Sequence, residues 1–344
     1  MTIRMRATIQ DVAREAGVSA ATVSRVMSAP GIVAPATRAA VLDAIERTGY
    51  RVHHSARNLR QQRTGSIVAL VPNISNPFFS NILSGIAATL GPEGYNLLIG
   101  DTRSGPGAGR DMLRTLGNGV VDGVILFDGE VEPPARRAGG LPTVMACEWR
   151  PGPDLPSVRV DNAGGARMAV EHLVALGHRR IGHLAGPPKN VLTVERLAGF
   201  RDAMAAAHLS PRPDWMLAGD FTLESGAAAG RRWLALPDRP TALFCASDEM
   251  ACGFIGAVQA AGMGVPRDVS VVGFDNIELV AHLTPPLTTI RQQRNQIGIE
   301  AARLILAELL AEPSDRPPPR QVLLPVELIL RASTAPPAIA QVCA

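Results

Sequence analysis

The chain has 344 residues, more than one ordinary hydrophobic core requires, so we expect two or three domains. Hydrophobic residues make up 46% and charged residues 19% of the sequence, which describes a soluble globular protein. A membrane-spanning helix needs about 18 or more apolar residues in a row, and the sequence contains no such run. The first residues, MTIRMRATIQDVA, contain no apolar signal core, so we expect a cytoplasmic protein without a membrane partner.

The net charge of +3 is distributed unevenly along the chain. The residues through Arg63 contain ten arginines and four acids and carry +6, whereas the remainder carries −3. A basic N-terminal segment on a nearly neutral body is the electrostatic pattern expected of a phosphate-binding headpiece.

Residues 8–28 have the pattern of two short helices joined by a turn at Gly17. Thr8 and Asp11 have the spacing of a capping box, and Ser19 is placed to cap the second helix. The predicted inner faces consist of Ile9, Val12, Ala13 and Ala16 on the first helix and Val23, Val26 and Met27 on the second. This is a helix-turn-helix pattern.

The outer face of the second helix is small and polar with one long cation, and it consists of Ala20, Ala21, Ser24, Arg25 and Ser28. Short side chains let a helix lie deep in a major groove, where Arg25 could reach guanine O6 and N7 while Ala20 or Ala21 contacts a thymine methyl. An ordinary surface helical hairpin has the same periodicity, so the pattern alone leaves both interpretations open.

The string DVAREAGVSAATVSRV resembles the headpiece of the lactose-repressor family of bacterial transcription regulators, whose pattern is D-V-A-x-x-A-G-V-S-x-x-T-V-S-R-V. The resemblance implies a DNA-binding headpiece at 1–50, a hinge helix and linker at 51–63, and an effector-binding body. It also implies a nucleoid-associated homodimer on palindromic double-stranded operator DNA. The implied DNA-binding residues are Thr8, Ser19, Ala20, Ala21, Thr22, Ser24, Arg25, Thr37, Arg38, Tyr50, Ala56, Arg57 and Leu59.

A third helix is predicted over residues 36–48 and completes the headpiece, with Gly49 closing it. Its predicted inward side chains are Val41, Leu42 and Ile45. Thr37 and Arg38 begin this helix as in the family, where this end lies near the phosphate backbone.

The segment YRVHHSARNLR resembles the family's hinge, Y-x-P-N-x-x-A-R-x-L, but Val52 and His53 stand where Pro and Asn are usual. The matching positions are Tyr50, Ala56, Arg57 and Leu59. A helix this short is marginal in water, so we expect it to form only with a second subunit's hinge and DNA. In the family the leucine matched by Leu59 enters the minor groove, and the alternative is a linker residue packed on the body.

From Ser66 onward, short apolar runs alternate with amphipathic segments. The apolar runs are SIVALV, YNLLI, VDGVILF and LPTVMA, then RIGHLAG, WMLAG, TALFCA and VSVVGF. Helices are predicted at 78–90, 110–116, 163–176, 194–207, 224–234 and 249–261. This alternation indicates parallel sheets covered on both faces, in two similar α/β halves.

The fold class implied is a small all-α helix-turn-helix headpiece plus an α/β periplasmic-binding-protein-like body of two doubly wound parallel-sheet subdomains. As in the family's body, we expect the chain to cross between the halves near 161–162, near 287–291 and after about 323. The N-subdomain is expected at 64–162 with about 291–322, including a helix at 295–310. The C-subdomain is expected at 163–290 with about 323–332, followed by a loose tail at 333–344. The tail has no leucine heptad, which favours a dimer.

In doubly wound sheets, ligands lie beyond the carboxyl ends of the strands, here between the halves. The predicted effector-binding residues are Asn76, Phe78, Phe79, Glu148, Trp149, Asp161, Asn190, Arg196, Phe221, Asp248, Asp275 and Gln292. Aromatic faces combined with Arg, Asp and Asn suit a hydroxylated ring, so a sugar or sugar derivative is favoured. Phe78 and Phe79 also match the place where purine-binding relatives hold their base, which keeps a nucleobase as the alternative.

Several of these residues have a structural alternative. Arg196 could be a structural cation near a helix start, Phe221 could belong to the core, and Asp161 could only cap a helix. After the fourth apolar run, the position that faces the pocket is ambiguous by one residue and is either Glu148 or Trp149. Asp275 is the strongest pocket candidate because a carboxylate directly after an apolar strand is costly unless it is used or paired.

The sequence contains no G-x-S-x-G, P-loop or H-E-x-x-H motif, and the Gly-rich stretch at 105–109 lacks a dinucleotide fingerprint. Cys147, Cys245, Cys252 and Cys343 show no metal-ligand spacing, and we expect no metal and no cofactor. We therefore predict a regulator and not an enzyme. A sugar-binding protein without a DNA role is a further alternative, but it would need a signal peptide and would not need Arg25 or Arg57.

We expect effector binding to rotate the N-terminal lobes of the dimer and so change the separation of the two hinges. Leu59→Ala should weaken operator binding strongly and sugar binding hardly at all, because Leu59 belongs to the hinge. Asp275→Ala should do the reverse. Operator and sugar titrations of both variants check this division, and an equal loss of both activities in either variant would refute it.

Overall fold

The computed structural model describes residues 7–28, 30–50, 63–134, 140–150, 155–311 and 318–338. The chain divides into two compact units, residues 1–63 and residues 64–344. The predicted hinge segment at 51–60 lies outside the described residues, so the roles of Ala56, Arg57 and Leu59 stay predictions. Within the described residues, no helix has the length and apolar character that crossing a bilayer requires.

The first unit contains the three predicted helices, α1 (Ile9–Glu15), α2 (Ala20–Ser28) and α3 (Pro35–Thr48). The predicted capping box of α1 is confirmed: the Asp11 carboxylate accepts from the Thr8 N–H at 2.9 Å, and the Thr8 hydroxyl accepts from the Asp11 N–H at 3.4 Å. The Ser19 hydroxyl accepts from the Thr22 N–H at 3.1 Å and so caps α2.

The three helices share a small apolar core that contains Val12, Val23, Val26, Val41 and Ala44. The prediction that Leu42 faces inward is wrong, because its side chain is 54% exposed. The inward stripe of α3 recurs at residues 41, 44 and 45, and residue 42 lies about 100° around the helix from residue 41. Gly49, at φ +64°, ends α3 in the left-handed conformation as predicted.

The second unit contains two six-stranded sheets. The first sheet has the strands β1 (Ser66–Val71), β2 (Asn96–Asp101), β3 (Gly123–Leu126), β4 (Thr143–Ala146), β5 (Ser157–Val160) and β11 (Gln321–Leu324). Its order is β11-β5-β4-β3-β1-β2, and all of its pairs are parallel. Its helices are α4 (Phe78–Leu90), α5 (Ala108–Leu116) and α10 (Arg294–Leu310). We call this sheet and its helices the N-subdomain.

The second sheet has the strands β6 (Ile181–Ala185), β7 (Met216–Ala218), β8 (Ala242–Cys245), β9 (Ser270–Asp275), β10 (Thr288–Gln292) and β12 (Val326–Ile329). Its order is β12-β10-β9-β8-β6-β7, and only β12 runs antiparallel. Its helices are α6 (Asn162–Ala175), α7 (Val191–Ala206), α8 (Leu223–Ala235) and α9 (Asp248–Ala260). This sheet and its helices form the C-subdomain, and the two sheets confirm the predicted fold class.

The chain passes from the N-subdomain to the C-subdomain after β5, back after β10, and to the C-subdomain again between β11 and β12. The second sheet extends to Gln292 before the chain returns to the first, and the first sheet extends to Leu324. Both crossings therefore come about two residues after the subdomain boundaries expected at 290 and 322. Helix α10 packs against α4 and covers β3, β4 and β5.

Strands β5 (SVRV) and β10 (TTIRQ) were not recognised in the sequence, because each carries an arginine within a short run. Helix α7 begins at Val191 and not at residue 194, because the Asn190 side chain caps it by accepting from the Leu192 N–H at 2.9 Å.

The prediction of a loose tail from residue 333 is wrong as far as residue 338. The fully buried Ser333 hydroxyl accepts from the Thr288 N–H at 2.8 Å and donates to the Val271 carbonyl at 2.6 Å. The Ala335 carbonyl accepts from the Ser270 hydroxyl at 3.0 Å. These bonds attach the tail to β9 and β10, while residues 339–344 lie outside the described residues.

The C-subdomain core encloses a histidine. The ring of His183 is stacked between Phe200 and Phe244, at centroid distances of 5.0 and 4.9 Å, and His183 Nδ1 lies 3.0 Å from the Phe244 carbonyl. Burial lowers the pKa of His183 from 6.5 to about 4, because the charged ring would lose its hydration.

This lowered pKa predicts a loss of stability in acid. The unfolded state binds the proton near pH 6.5 and the folded state only near pH 4, so the stabilisation is present above pH 6.5 and is lost as the pH falls toward 4. Between pH 7 and pH 5 this group should remove about 2 kcal/mol from the free energy of unfolding.

Denaturant unfolding of the wild type and His183→Leu at both pH values measures the effect. We expect the variant to be less stable at pH 7, because the Phe244 carbonyl loses a partner, yet less sensitive to acid by about 2 kcal/mol. The same pH dependence in both proteins would contradict the lowered pKa, because it would mean that His183 binds protons equally in the folded and unfolded states.

Candidate functional site

A cavity of about 350 Å³ lies at the carboxyl ends of the strands of both sheets. In each sheet the strand order reverses beside the first strand, between β1 and β3 and between β6 and β8, which is where doubly wound folds bind ligands. The N-subdomain contributes Pro72, Asn73, Asn76, Phe78, Phe79, Asp101, Arg103, Phe127, Cys147 and Glu148. The C-subdomain contributes Leu192, Arg196, Asp220, Phe221, Thr222, Ser247 and Asp275. The volume is that of a small-molecule site.

One part of the cavity wall is aromatic. Phe78 and Phe79, in the first turn of α4, have ring centroids 5.1 Å apart in an edge-to-face arrangement, and Phe79 packs in the same way on Phe127 at 5.7 Å. Phe221 lines the cavity from the C-subdomain, and its ring lies against Gly186, where a Cβ atom would be 2.3 Å from it. These rings offer apolar surface from both subdomains.

Three cavity residues adopt the left-handed backbone conformation that side chains other than glycine rarely take. The φ angles are +63° at Cys147, +68° at Phe221 and +125° at Asp275. Such residues persist only where the surrounding structure determines them, and they concentrate at functional sites. Cys147 directly follows β4, Phe221 lies three residues after β7, and Asp275 is the last residue of β9, and all three line the same cavity.

A buried ion pair forms the polar part of the wall. Arg196, on α7, is 2% exposed, and its Nη1 lies 3.9 Å from Asp275 Oδ1. Its Nε donates to Asn162 Oδ1 at 2.9 Å, and Nη1 donates to the Ala246 carbonyl at 2.5 Å. Asp275 Oδ1 also accepts from Gln292 Nε2 at 2.7 Å. The site therefore presents a guanidinium and a carboxylate already held in place.

Burial raises the pKa of Asp275, whereas the Arg196 charge acts in the opposite direction. Burial and the neighbouring Asp275 charge raise the pKa of Asp248, which lies beneath the turn that follows β9. Asp248 accepts from the Thr289 hydroxyl at 2.5 Å and from the Ile277 N–H at 2.9 Å. Asp248 thus supports the backbone next to Asp275 and does not line the cavity.

Glu148 joins the two subdomains at another point of the cavity. Its carboxylate accepts from Asn190 Nδ2 at 2.8 Å and from the Gly129 N–H at 2.8 Å. Burial raises the pKa of Glu148, and the hydrogen bond from Asn190 partly offsets this. Glu148 comes from the N-subdomain and Asn190 from the C-subdomain, so this contact depends on the arrangement of the two halves.

Seven of the twelve predicted effector-binding residues line the cavity: Asn76, Phe78, Phe79, Glu148, Arg196, Phe221 and Asp275. Asn190 and Gln292 do not line the cavity, but each donates a hydrogen bond to a residue that does. Asn190 donates to Glu148, and Gln292 donates to Asp275. Asp248 lies below the surface of the cavity, as described above.

Two further predictions need correction. Trp149 points away from the cavity, and the Arg159 guanidinium lies 4.4 Å from its ring centroid. Asp161 caps α6 by accepting from the Gly164 N–H at 2.8 Å. It therefore has the structural role of a helix cap, which was the alternative to effector binding. In both cases the residue after a strand end faces another element.

The effector-binding residues predicted from the sequence do not include several residues that line the cavity, among them Asp101, Arg103 and Asp220. Asp101 accepts from the Arg103 N–H at 2.8 Å and from the Ile74 N–H at 3.1 Å, so it organises two loops. Asp220 lies two residues after the end of β7, and this position was the signal available in the sequence. No group of His, Cys, Asp or Glu side chains among the described residues could hold a metal ion.

In the first unit, the outer face of α2 is open to solvent at Ala21, Ser24 and Arg25, while Ala20 and Thr22 are half-buried. Thr8, Ser19 and Arg38 are also exposed. Thr37 is half-buried, and Tyr50 packs against the headpiece core. An exposed helix face with short side chains and one arginine has the shape and chemistry of a major-groove reader.

Residues 8–52 match the family model of bacterial regulatory proteins, lacI family, and residues 170–334 match the periplasmic binding protein-like domain. The HTH-type transcriptional repressor CytR of Escherichia coli (strain K12) is 39% identical over 334 residues, which cover 95% of this chain and 96% of CytR.

Solved structures of transcriptional regulators are also similar to this chain. The lac repressor dimer bound to operator and the anti-inducer ONPF has a TM-score of 0.81 and 30% identity, and the match covers 96% of this chain and 99% of the repressor. The transcriptional regulator CelR–cellobiose complex has a TM-score of 0.70 and 34% identity, with coverage of 95% and 100%. On these findings the chain belongs to the lacI family of bacterial regulatory proteins and is a DNA-binding transcriptional repressor with an effector-binding body, not an enzyme.

Proposed function

We propose that this chain acts as a homodimer on a palindromic operator, and that a sugar or sugar derivative in the cavity controls its affinity for DNA. The observation that carries the effector proposal is the cavity wall itself, which places the Arg196–Asp275 pair within the same 350 Å³ space as the phenylalanine rings. A guanidinium and a carboxylate can hold vicinal hydroxyls, while aromatic rings cover the C–H face of a sugar.

One similar structure supports this choice, because it is a complex of the transcriptional regulator CelR with cellobiose. A purine base is the second candidate. The rings of Phe78, Phe79 and Phe221 offer surfaces on which a planar base could pack, and Asp275 and Arg196 could pair with its polar edge.

For DNA recognition, we assign Arg25 to a base edge in the major groove, since it is the long cation on the exposed face of α2. Ser19, Thr22 and Arg38 are assigned to the phosphate backbone, which fixes the position of the headpiece without reading sequence. The hinge residues Arg57 and Leu59 complete this interface as predicted from the family pattern.

Effector control needs a ligand that binds two arrangements of the subdomains with different affinity. The cavity meets this requirement because its lining comes from both sheets and the Glu148–Asn190 contact joins them. A ligand that contacts both walls stabilises the arrangement in which the walls face each other, and the dimer carries this change to the two hinges. The sign of the response, release or tightening of DNA, depends on which arrangement aligns the hinges.

Calorimetric titration with pentoses, hexoses, sugar acids and purines tests the proposal, followed by operator titrations with any ligand found, at a stated salt concentration. Asp275→Asn should weaken ligand binding by roughly 10- to 100-fold, the range expected for losing hydrogen bonds to a charged group. Thermal unfolding of this variant is needed alongside, because the Arg196 charge loses its partner.

Arg25→Ala is the matched control, since it should retain ligand binding in full and lose operator affinity. Binding of purines without any sugar would select the second candidate. If no compound binds, or if a bound compound leaves operator affinity unchanged, the proposed effector control is wrong.

A further inference from the structure

A buried cation lies where the chain crosses from β10 to α10. Arg294 is the first residue of α10, and its side chain is 4% exposed. The positive end of the helix dipole is at the same place, so both burial and the dipole disfavour a guanidinium here. Such a group is stable only if its N–H groups are well paired.

The partners of Arg294 belong to both subdomains. Its Nη1 donates to the carbonyls of Pro77 and Phe78 at 3.4 Å each, at the start of α4 in the N-subdomain. Its Nη2 donates to the Asn276 carbonyl at 3.0 Å, in the turn after β9 of the C-subdomain. One side chain therefore joins the backbones of the two halves.

Glu278 adds a second connection at the same place. Its Oε1 accepts from Arg294 Nη2 at 2.6 Å and from Asn81 Nδ2, also at 2.6 Å. Asn81 lies on α4, whereas Glu278 begins a short 3-10 turn of the C-subdomain, Glu278–Ala281. The Glu278 side chain is 62% exposed, so this connection is in contact with water and can open at low cost.

These three side chains are behind the cavity and do not line it. They do hold its walls, because Phe78 lines the cavity from the N-subdomain and Asp275, next to Asn276, lines it from the C-subdomain. The contacts of Arg294 therefore fix the two cavity walls opposite each other at the crossing.

Resting on the proposed effector control, we propose that Arg294, Glu278 and Asn81 form a latch between the subdomains that sets how readily the effector-binding arrangement is reached. They are positioning residues, which act through Phe78 and Asp275 without contacting the effector. The latch is closed in the structure, with both hydrogen bonds to Glu278 made. Opening it lowers the fraction of molecules that can bind, and the apparent dissociation constant rises by the same factor.

The first test uses no effector. In full-length Glu278→Ala, amide hydrogen exchange of residues 77–83 and 276–281 should be faster than in the wild type by about 3-fold or more, since the latch spans these segments. Glu327→Ala is the matched control, because it breaks the ion pair between Arg291 and Glu327, which lies within the C-subdomain sheet. Its exchange at the latch should equal that of the wild type.

The second test separates the latch from a general loss of structure. Glu278→Ala should weaken effector binding by about 3- to 10-fold, Asn81→Ala should weaken it less, and Glu278→Gln, which keeps an acceptor oxygen, should be intermediate between Glu278→Ala and the wild type. Without effector, the operator affinity of Glu278→Ala should shift in the direction opposite to the effector's own effect. At saturating effector it should return to the wild-type value, because bound effector restores the closed arrangement.

Unchanged exchange at both segments in Glu278→Ala would overturn the latch, as would an operator affinity that stays displaced at saturating effector. If the wild type binds none of the tested compounds while Glu278→Ala still shows faster exchange, the proposed effector control fails and the latch stands. The two proposals are therefore tested separately.

Discussion

The body of this repressor depends on the buried guanidinium of Arg196, a charged group that an apolar core can hold only if its N–H groups are paired. Arg196 reaches from α7 to Asn162, Ala246 and Asp275, and so brings together α6, the end of β8 and the end of β9. Removing one member of such a group would leave an uncompensated charge, which is far more costly than the pair is favourable. The polar side of the cavity is therefore fixed before any ligand arrives, and a ligand meets oriented groups and not mobile ones.

Much of the fold could be predicted from the sequence because its signals are local. The capping box at Thr8, the left-handed Gly49 and the unbroken apolar runs each express a short-range preference of the backbone, and the structure agrees with them. Strands β5 and β10 were not predicted because in each of them an arginine interrupts a short apolar pattern, although both strands are paired on both sides. The docking of Ser333 depends on partners 45 and 62 residues away, which no local pattern reveals.

The site was harder to predict than the fold for a physical reason. Sequence order shows which residues follow a strand, but the backbone conformation after the strand decides which side chain turns toward the cavity. The positive φ at Cys147 places Glu148 at the cavity while Trp149 packs under Arg159. Asp161 and Asp248 likewise follow strands, yet their oxygens are used by backbone N–H groups of α6 and of the turn after β9. Local hydrogen bonding competes with ligand binding for the same residue types.

The interleaved path of the chain has a consequence for synthesis on the ribosome. The C-subdomain strands β6 to β10 are contiguous in sequence, so they can pair as soon as Gln292 has emerged. The N-subdomain emerges earlier, but the face of its sheet that packs on α10 stays uncovered until residues 294–310 are made, and its outermost strand β11 follows later still. The part of the body that is translated first is thus covered only after β6 to β10 have been made, and its apolar strands are exposed to chaperones and to other nascent chains during that interval.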